Sequence, residues 1–332
     1  MTVTQAHARS RPSVSLYGPI ERDLEACEEI FARHLESRRP GVARLLDHLV
    51  HYRGKRLRPA LLLLTARACG AVTPAHHTLA AVVEMIHTAT LVHDDVLDEA
   101  TVRRHAATIN AEWGAQTSIL LGDYLFTHAF HLTSTLGDPR ACLLIGEATN
   151  RVCAGELHQT VRRGALDLSE DEYFDIIDGK TAELTSCCCR LGALYAGLDD
   201  ADVEHLAAYG RALGIAFQIA DDVLDLVGRE DRAGKSLGTD LEQRKMTLPL
   251  IHLLTRGSRD QSSRARLILE SPGNHKREQL APECQAAGAI DYARRRAEEF
   301  ARQAATHLDC LPASESKAIL EQLTRRVIHR DT

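Results

Sequence analysis

Six aspartates in two copies of one pattern dominate the chemistry that this chain can carry. Residues 84–104 read EMIHTATLVHDDVLDEATVRR and set Asp94, Asp95 and Asp98 behind Met85, Ile86, Leu91 and Val92. On a helix, side chains four apart lie one above the other, so Asp94 and Asp98 share a face. Two carboxylates stacked this way repel by roughly a few tenths of a kcal/mol even when exposed. At the end of an apolar segment the cost rises unless a cation sits between them. Oxygen donors with no cysteine nearby point to a hard metal, Mg²⁺ before Zn²⁺. A single D-D-x-x-D also describes an ordinary solvated helix end. Residues 213–230, LGIAFQIADDVLDLVGRE, repeat it with Asp221, Asp222 and Asp225 among Ile215, Ala216, Ile219, Val223 and Leu224. A second buried acid cluster doubles the electrostatic cost without return unless the two share cations. Facing one another across a cavity, they could hold several Mg²⁺ ions that grip phosphate oxygens.

Cationic groups recur around these acids. GKRLRP places Lys55, Arg56 and Arg58 just ahead of a helix, whose N-terminal amides add partial positive charge suited to a diphosphate. Arg103 and Arg104 follow the first acid cluster as potential guanidinium forks. His87 lies seven residues before Asp94, two turns away on nearly the same face. Lys180–Thr181 in DGKTAEL resembles a truncated P-loop, but the leading Gly-x-x-x-x-Gly is missing, which excludes nucleotide cradling. Lys235 and Lys245 flank the Gly- and charge-rich segment 228–240, read as a flap beside the second acid cluster.

The elements that must position these groups are helices. No proline occurs between Pro74 and Pro139 or between Pro139 and Pro249, and alternating β-branched runs are few. A helix opening at Pro59 and closing near Gly70 is expected, then a long one from Pro74. Loops are expected at 103–110, 136–140, 163–169, 198–201 and 228–240, with later breaks at 271–274 and 311–313. The charged stretch 292–304 reads as a solvated outer helix. With 44% hydrophobic and only 4% aromatic residues in 332, the core must rest on Leu, Ala, Val and Ile. The expected organisation is one all-α domain over residues 17–332 behind a polar, disordered lead at 1–16. Net charge −6 opposes a nucleic-acid partner. Nine cysteines show no CxxC pair, and consecutive Cys187, Cys188 and Cys189 point about 100° apart on a helix, as core residues in a reducing cytoplasm. The first residues carry no apolar signal core, and the LLLL run at 61–64 lies in too short an apolar stretch to span a bilayer.

Together the motifs resemble the trans-isoprenyl diphosphate synthases, the head-to-tail polyprenyl synthase family, of medium- or long-chain type. GKRLRP, the first acid segment, GDYLF at 122–126, GE-x-x-Q at 155–159, GKTAEL, FQIADDVLD, GTDL and K-x-TLP occur in that family's order over about residues 50–255. The resemblance implies an all-helical homodimer whose subunits each wrap a deep central cavity. It implies that Asp94, Asp98, Asp221 and Asp225 hold Mg²⁺ on an allylic prenyl diphosphate, with Asp95 and Asp222 as supporting partners. Arg103, Lys180, Thr181, Gln218, Lys235 and Lys245 would contact the same diphosphate, and Lys55, Arg58, His87 and Arg104 would hold isopentenyl diphosphate. Arg53, His105, Ala107 and Arg244 depart from the family pattern.

The implied reaction ionises an allylic C–O bond, joins the cation to the second substrate's double bond and loses a proton to the departing pyrophosphate. Charge on the leaving group is where stabilisation is needed, and apolar walls keep water from the cation. A helix rises about 5.4 Å per turn, close to one isoprene unit, so side chains one turn back act as successive floors. Ala89 and Thr90 are small, and Ile86 and Val82 below them are incomplete barriers, so a product longer than four isoprene units is expected. The alternatives are a short-chain geranylgeranyl or farnesyl diphosphate synthase, or a non-catalytic subunit of a heteromeric synthase. A terpene cyclase would not need Lys55, Arg58 and His87. A di-iron bundle would need a second Glu-x-x-His beside Glu84–His87, and GELH at 155–158 supplies it only formally.

Overall fold

Proline opens several of the helices, and aspartate, serine or glycine caps open others. The structure, a computed structural model, describes residues 17–228, 237–273 and 275–328. The expected disordered lead, Lys235 and most of the expected flap lie outside these residues. Helix α1 spans Glu21–His34, α2 Pro40–His48, α3 Leu57–Cys69 and α4 Pro74–Leu97. After a short hairpin come α5 (Ile109–Trp113), α6 (Ala115–Ser134), α7 (Pro139–Val161) and α8 (Glu170–Ile177). A π-helical turn, Asp178–Ala182, joins α8 to α9 (Glu183–Tyr195), and α10 runs from Asp200 to Val227. A single turn at Thr239–Glu242 precedes α11 (Leu248–Arg256), α12 (Arg259–Glu270), α13 (Lys276–Ala286), α14 (Ala289–Thr306) and α15 (Glu315–Ile328). Pro40, Pro74 and Pro139 each occupy the first helical position, where the missing N–H costs nothing. Ser169 and Ser258 form capping boxes with Glu172 and Gln261.

The helices pack around two apolar clusters, and α10 crosses from one to the other. Leu206, Tyr209, Leu213 and Ala216 join the first, larger cluster with Leu61–Leu64 of α3 and Val82, Met85, Ile86 and Ala89 of α4. Ile215, Ile219, Val223 and Leu226 face the second, built with α8, α11, α13 and α14. Glycines set the closest crossing. A methyl at Gly210 would lie 2.5 Å from the Thr185 carbonyl, and one at Gly214 would lie 2.6 Å from Ala182 Cα, so α9 and α10 meet backbone to backbone. The three consecutive cysteines are buried in α9 and all nine thiols are free. Among the described residues no helix is long and apolar enough to cross a membrane.

Four expectations need correction. The loop at 103–110 contains a two-residue antiparallel pair, Val102–Arg103 with Ala106–Ala107, before α5 starts at Ile109. Its turn places Arg104 and His105 at φ 49° and 66°, left-handed positions usually filled by Asn and Gly, so the sequence carries no hairpin signal. Helix α3 begins at Leu57, before Pro59, because Arg56 takes a left-handed N-cap at φ 52°. Breaks at Gly257–Ser258 and Ala287–Gly288 divide the later helices beyond those expected. The charged helix α14 is not simply an outer one. Ile290, Ala293, Ala297, Ala301 and Ala304 make a buried stripe, and the helix packs along α10.

Candidate active site

Both acid motifs sit at the C-terminal ends of their helices. Asp94 and Asp95 lie in the last turn of α4, with Asp98 as its C-cap, and Asp221, Asp222 and Asp225 lie in the last two turns of α10. Carboxylates there oppose the helix dipole at a cost of about 0.3–1 kcal/mol each. Such an arrangement persists only where cations answer it.

The middle acid of each motif is buried and held by a tyrosine. Asp95 is fully buried. Its Oδ2 accepts the Tyr52 hydroxyl at 2.6 Å, and its Oδ1 accepts Arg103 Nε at 2.8 Å and Nη2 at 2.7 Å. Asp222 is 4% exposed. Its Oδ2 accepts the Tyr173 hydroxyl at 2.7 Å and its Oδ1 accepts Gln218 Nε2 at 2.7 Å. Burial, with Asp240 nearby, holds the Asp222 carboxyl well above the usual range, and burial does the same to the Tyr173 phenol. These two central acids are tied to the helix ends, and of the outer acids Asp94, Asp98 and Asp221 are half-buried while Asp225 is buried.

The outer acids of the first motif meet cations. Asp94 is half-buried, and burial lifts its carboxyl to about 6 against the pull of Lys180, with Glu156 and Asp98 adding to the rise. Asp98 Oδ1 accepts Arg163 Nη2 at 2.9 Å, and Lys245 Nζ lies 3.3 Å from its Oδ2. Arg163 also donates to the Leu97 carbonyl at the end of α4, at 3.2 Å. On α10, Asp225 accepts Thr239 Oγ1 and the Asp240 amide, each at 3.2 Å, which caps the turn at 239–242. Lys245 in turn donates its amide to the Asp240 carbonyl at 2.7 Å. A chain of contacts thus runs from Asp98 through Lys245 and Asp240 to Asp225.

A second link passes through the π-helical turn. Lys180 Nζ donates to Gln159 Oε1 at 2.9 Å and pairs with Glu156. Burial alone would lower its ammonium pKa, but Asp94, Glu156 and Asp98 outweigh that and raise it. The adjacent Thr181 donates from Oγ1 to Gln218 Oε1 at 2.8 Å, and Gln218 donates to Asp222. Neighbouring residues of one turn therefore address the two motifs from between them. The turn comes so close to α7 because a methyl on Gly155 would sit 2.6 Å from the Lys180 amide nitrogen and one on Gly179 3.0 Å from the Arg151 carbonyl.

A basic pocket lies further back on α4. Arg58 Nη1 lies 3.1 Å from His87 Nε2. Burial, then Arg58, push the His87 imidazole well below its usual pKa, and burial lowers Arg58 as well, so His87 is neutral beside a cation. Glu84, one turn earlier, has a buried Oε2 with no hydrogen-bond partner among the described residues and is held protonated more readily by burial. Arg104 donates to the Tyr52 carbonyl and lies over Gly54, where a methyl would stand 2.3 Å from its Nη2. Lys55 is exposed, and its carbonyl accepts the Tyr17 hydroxyl at 2.5 Å. Val82, Ile86 and Ala89 are fully buried in α4, and Thr90 Oγ1 is turned back onto the His87 carbonyl at 2.8 Å.

Sequence reasoning left Tyr52, Tyr173, Arg163, Glu156 and Gln159 without roles. Only the last two had a signal, since GE-x-x-Q puts both on one helix face. Among the described residues no three His, Cys, Asp or Glu side chains converge tightly enough to enclose a metal unaided. A hard divalent cation bound through one or two carboxylates and completed by substrate oxygens and water is the donor set that this arrangement suits.

The chain is similar to known proteins over most of its length. Residues 39–286 match the family described as polyprenyl synthetase. Octaprenyl diphosphate synthase of Escherichia coli (strain K12) is 38% identical over 86% of this chain and 88% of its own. A decaprenyl diphosphate synthase from Rhodobacter capsulatus superposes with a TM-score of 0.90 at 34% identity, over 96% of this chain and 98% of that one. A polyprenyl synthase from Caulobacter crescentus CB15, complexed with calcium and isoprenyl diphosphate, gives 0.89 at 34%, over 97% and 100%. This chain belongs to the polyprenyl synthetase family and has its all-α fold.

Proposed function

We propose that the protein condenses isopentenyl diphosphate head-to-tail onto an allylic prenyl diphosphate, with Mg²⁺, to give an all-trans polyprenyl diphosphate longer than four isoprene units. The observation that carries this reading is the Lys180–Thr181 turn, whose adjacent side chains reach toward one acid motif each. The long-chain relatives, named octaprenyl and decaprenyl diphosphate synthases, support the product class.

In this reading Asp94 and Asp98 on one side, with Asp221 and Asp225 on the other, hold Mg²⁺ at the allylic diphosphate. The bound ions supply charge stabilisation for the departing pyrophosphate. Lys180, Thr181, Gln218, Lys245 and Lys235 hold the same diphosphate, and Lys180 is kept charged for it by its carboxylate neighbours. Arg103 contacts the same diphosphate, its guanidinium oriented by the hold of Nε and Nη2 on Asp95. Lys55, Arg58, His87 and Arg104 bind isopentenyl diphosphate. The neutral His87 can offer a hydrogen bond without adding to the repulsion between the arginines. The allylic C–O bond breaks, a C–C bond forms to the second substrate, and the departing pyrophosphate takes the proton, so no side-chain base is required. The small floor at Ala89 and Thr90 lets the growing chain pass.

The protein acts as a homodimer in the cytoplasm. Exposed Ile119, Leu120 and Phe130 on α6 and Leu143, Leu157 and Val161 on α7 supply apolar surface for a partner copy, and nine unpaired thiols suit a reducing compartment. Incubation with radiolabelled isopentenyl diphosphate, allylic primers of several lengths and Mg²⁺, followed by sizing of the products, tests the reading. Products of more than four isoprene units are expected; no incorporation with any primer would refute it.

A further inference from the structure

We propose that Arg151 and Arg211 are positioning residues for the allylic diphosphate: they fix the register of the π-helical turn that presents Lys180 and Thr181. The inference rests on the functional reading above. A π-helical turn holds one residue more than the α-helix around it, and it persists only where something favours it. Here the turn spans Asp178–Ala182 and Glu183 follows at once, so acidic residues stand at both of its ends. Each arginine bridges both acids. Arg211 of α10 donates from Nη1 to Asp178 Oδ2 at 2.6 Å and from Nη2 to Glu183 Oε2 at 2.6 Å. Arg151 of α7 reaches Asp178 Oδ2 from Nη2 at 2.8 Å and Glu183 Oε2 from Nη1 at 3.1 Å. Two forks from two different helices therefore set the span between residues 178 and 183.

That span decides where the functional groups point. Consecutive residues of an α-helix differ by about 100° in direction. If the extra residue migrated along the helix, Lys180 would rotate away from Glu156, Gln159 and Asp94, and Thr181 away from Gln218. The carboxylate of Glu183 is only 8% exposed and that of Asp178 18% exposed, so the ring is shielded enough for its geometry to hold. It touches the substrate nowhere in this scheme and acts through the turn.

The test is Arg211→Met and Arg151→Met against the full-length enzyme, with two readouts. One is calorimetric binding of a non-ionisable allylic thiolodiphosphate in the presence of Mg²⁺. The other is the pair of KM values for the allylic primer and for isopentenyl diphosphate. Displacing a binding group by about 1 Å costs on the order of 10- to 100-fold. Arg211→Met is expected to weaken the allylic analogue and raise the allylic KM by that factor, with the isopentenyl diphosphate KM within about twofold of wild type. Arg211→Lys, which keeps the charge but not the fork, should recover part of the loss. Unchanged analogue affinity and allylic KM in both Met variants would overturn the proposal, and so would a lower melting temperature with unchanged affinity. Should Arg211→Met fail to fold, Asp178→Asn gives the same reading with both arginines in place. If the wild-type enzyme itself neither binds the analogue nor elongates a primer, the functional reading fails instead.

Discussion

Replacing Tyr173 with Phe removes a single oxygen and isolates one contact. That hydroxyl lies 2.7 Å from Asp222 Oδ2 in a buried site, and among the described residues the carboxylate then keeps the Gln218 amide. A hydrogen bond to a charged group contributes about 1.5–3 kcal/mol. A loss of about 2 kcal/mol corresponds to a fall in Tm of roughly 4–8 °C in a domain of about 150–250 residues, somewhat less in a larger one. The pH dependence follows from the direction of the Asp222 shift. Its carboxyl is already raised in the folded protein by burial and by Asp240, while Tyr173 and Gln218 pull it down. A carboxyl raised on folding favours the native state below its unfolded pKa, and that contribution is lost as pH climbs through the folded value. Removing Tyr173 raises the folded value further, so Tyr173→Phe should be penalised more at high pH than at low pH. Thermal unfolding of both proteins at half-unit pH intervals reads this directly. A penalty that is flat with pH, or a Tm within about 1 °C of wild type throughout, would refute the claim that the tyrosine stabilises an ionised buried acid.

Other consequences can be checked in the same enzyme. If the proposed product channel runs beside Ala89, Ala89→Phe should shorten the product distribution on chromatography at little cost in Tm; in a filled core the same change would cost about 1–3 kcal/mol with product length unaltered. With the Asp94 carboxyl at about 6, metal binding there competes with one proton. The Mg²⁺ concentration for half-maximal activity should therefore rise about tenfold per pH unit below that value and level off above it. Arg163→Gln should lower the Mg²⁺ needed to raise the Tm of the substrate-free protein, since the guanidinium at 2.9 Å from Asp98 stands where a cation would bind; an unchanged or higher requirement would contradict this.

The two acid motifs were legible because their spacing is local and repeated. Asp94 with Asp98, and Asp221 with Asp225, are each four apart, and one helical turn is enough to pair them. Their supports were not legible. Tyr52 lies 43 residues from Asp95 and Tyr173 lies 49 from Asp222, separations at which no period in the sequence carries information. The π-helical turn at DGKTA looks like uninterrupted helix in an apolar pattern, and only the backbone reveals the extra residue. Helix α14 was misread because its buried stripe is alanine, too small to stand out beside Arg294, Arg295 and Arg296. The hairpin after the first motif escaped notice because Arg104 and His105 adopt left-handed conformations without the glycine that normally announces one. The hold of Arg103 Nε and Nη2 on Asp95, eight residues earlier, was likewise not read from the sequence.

The central claim is that two acid motifs share one metal-bound diphosphate. Crystals grown with Mn²⁺ and a non-ionisable allylic thiolodiphosphate would test it through anomalous scattering. The account predicts Mn²⁺ peaks at Asp94 and Asp98 and at Asp221 and Asp225, with one diphosphate between them against Lys180. Metal at only one motif, or a diphosphate bound away from both, would contradict it.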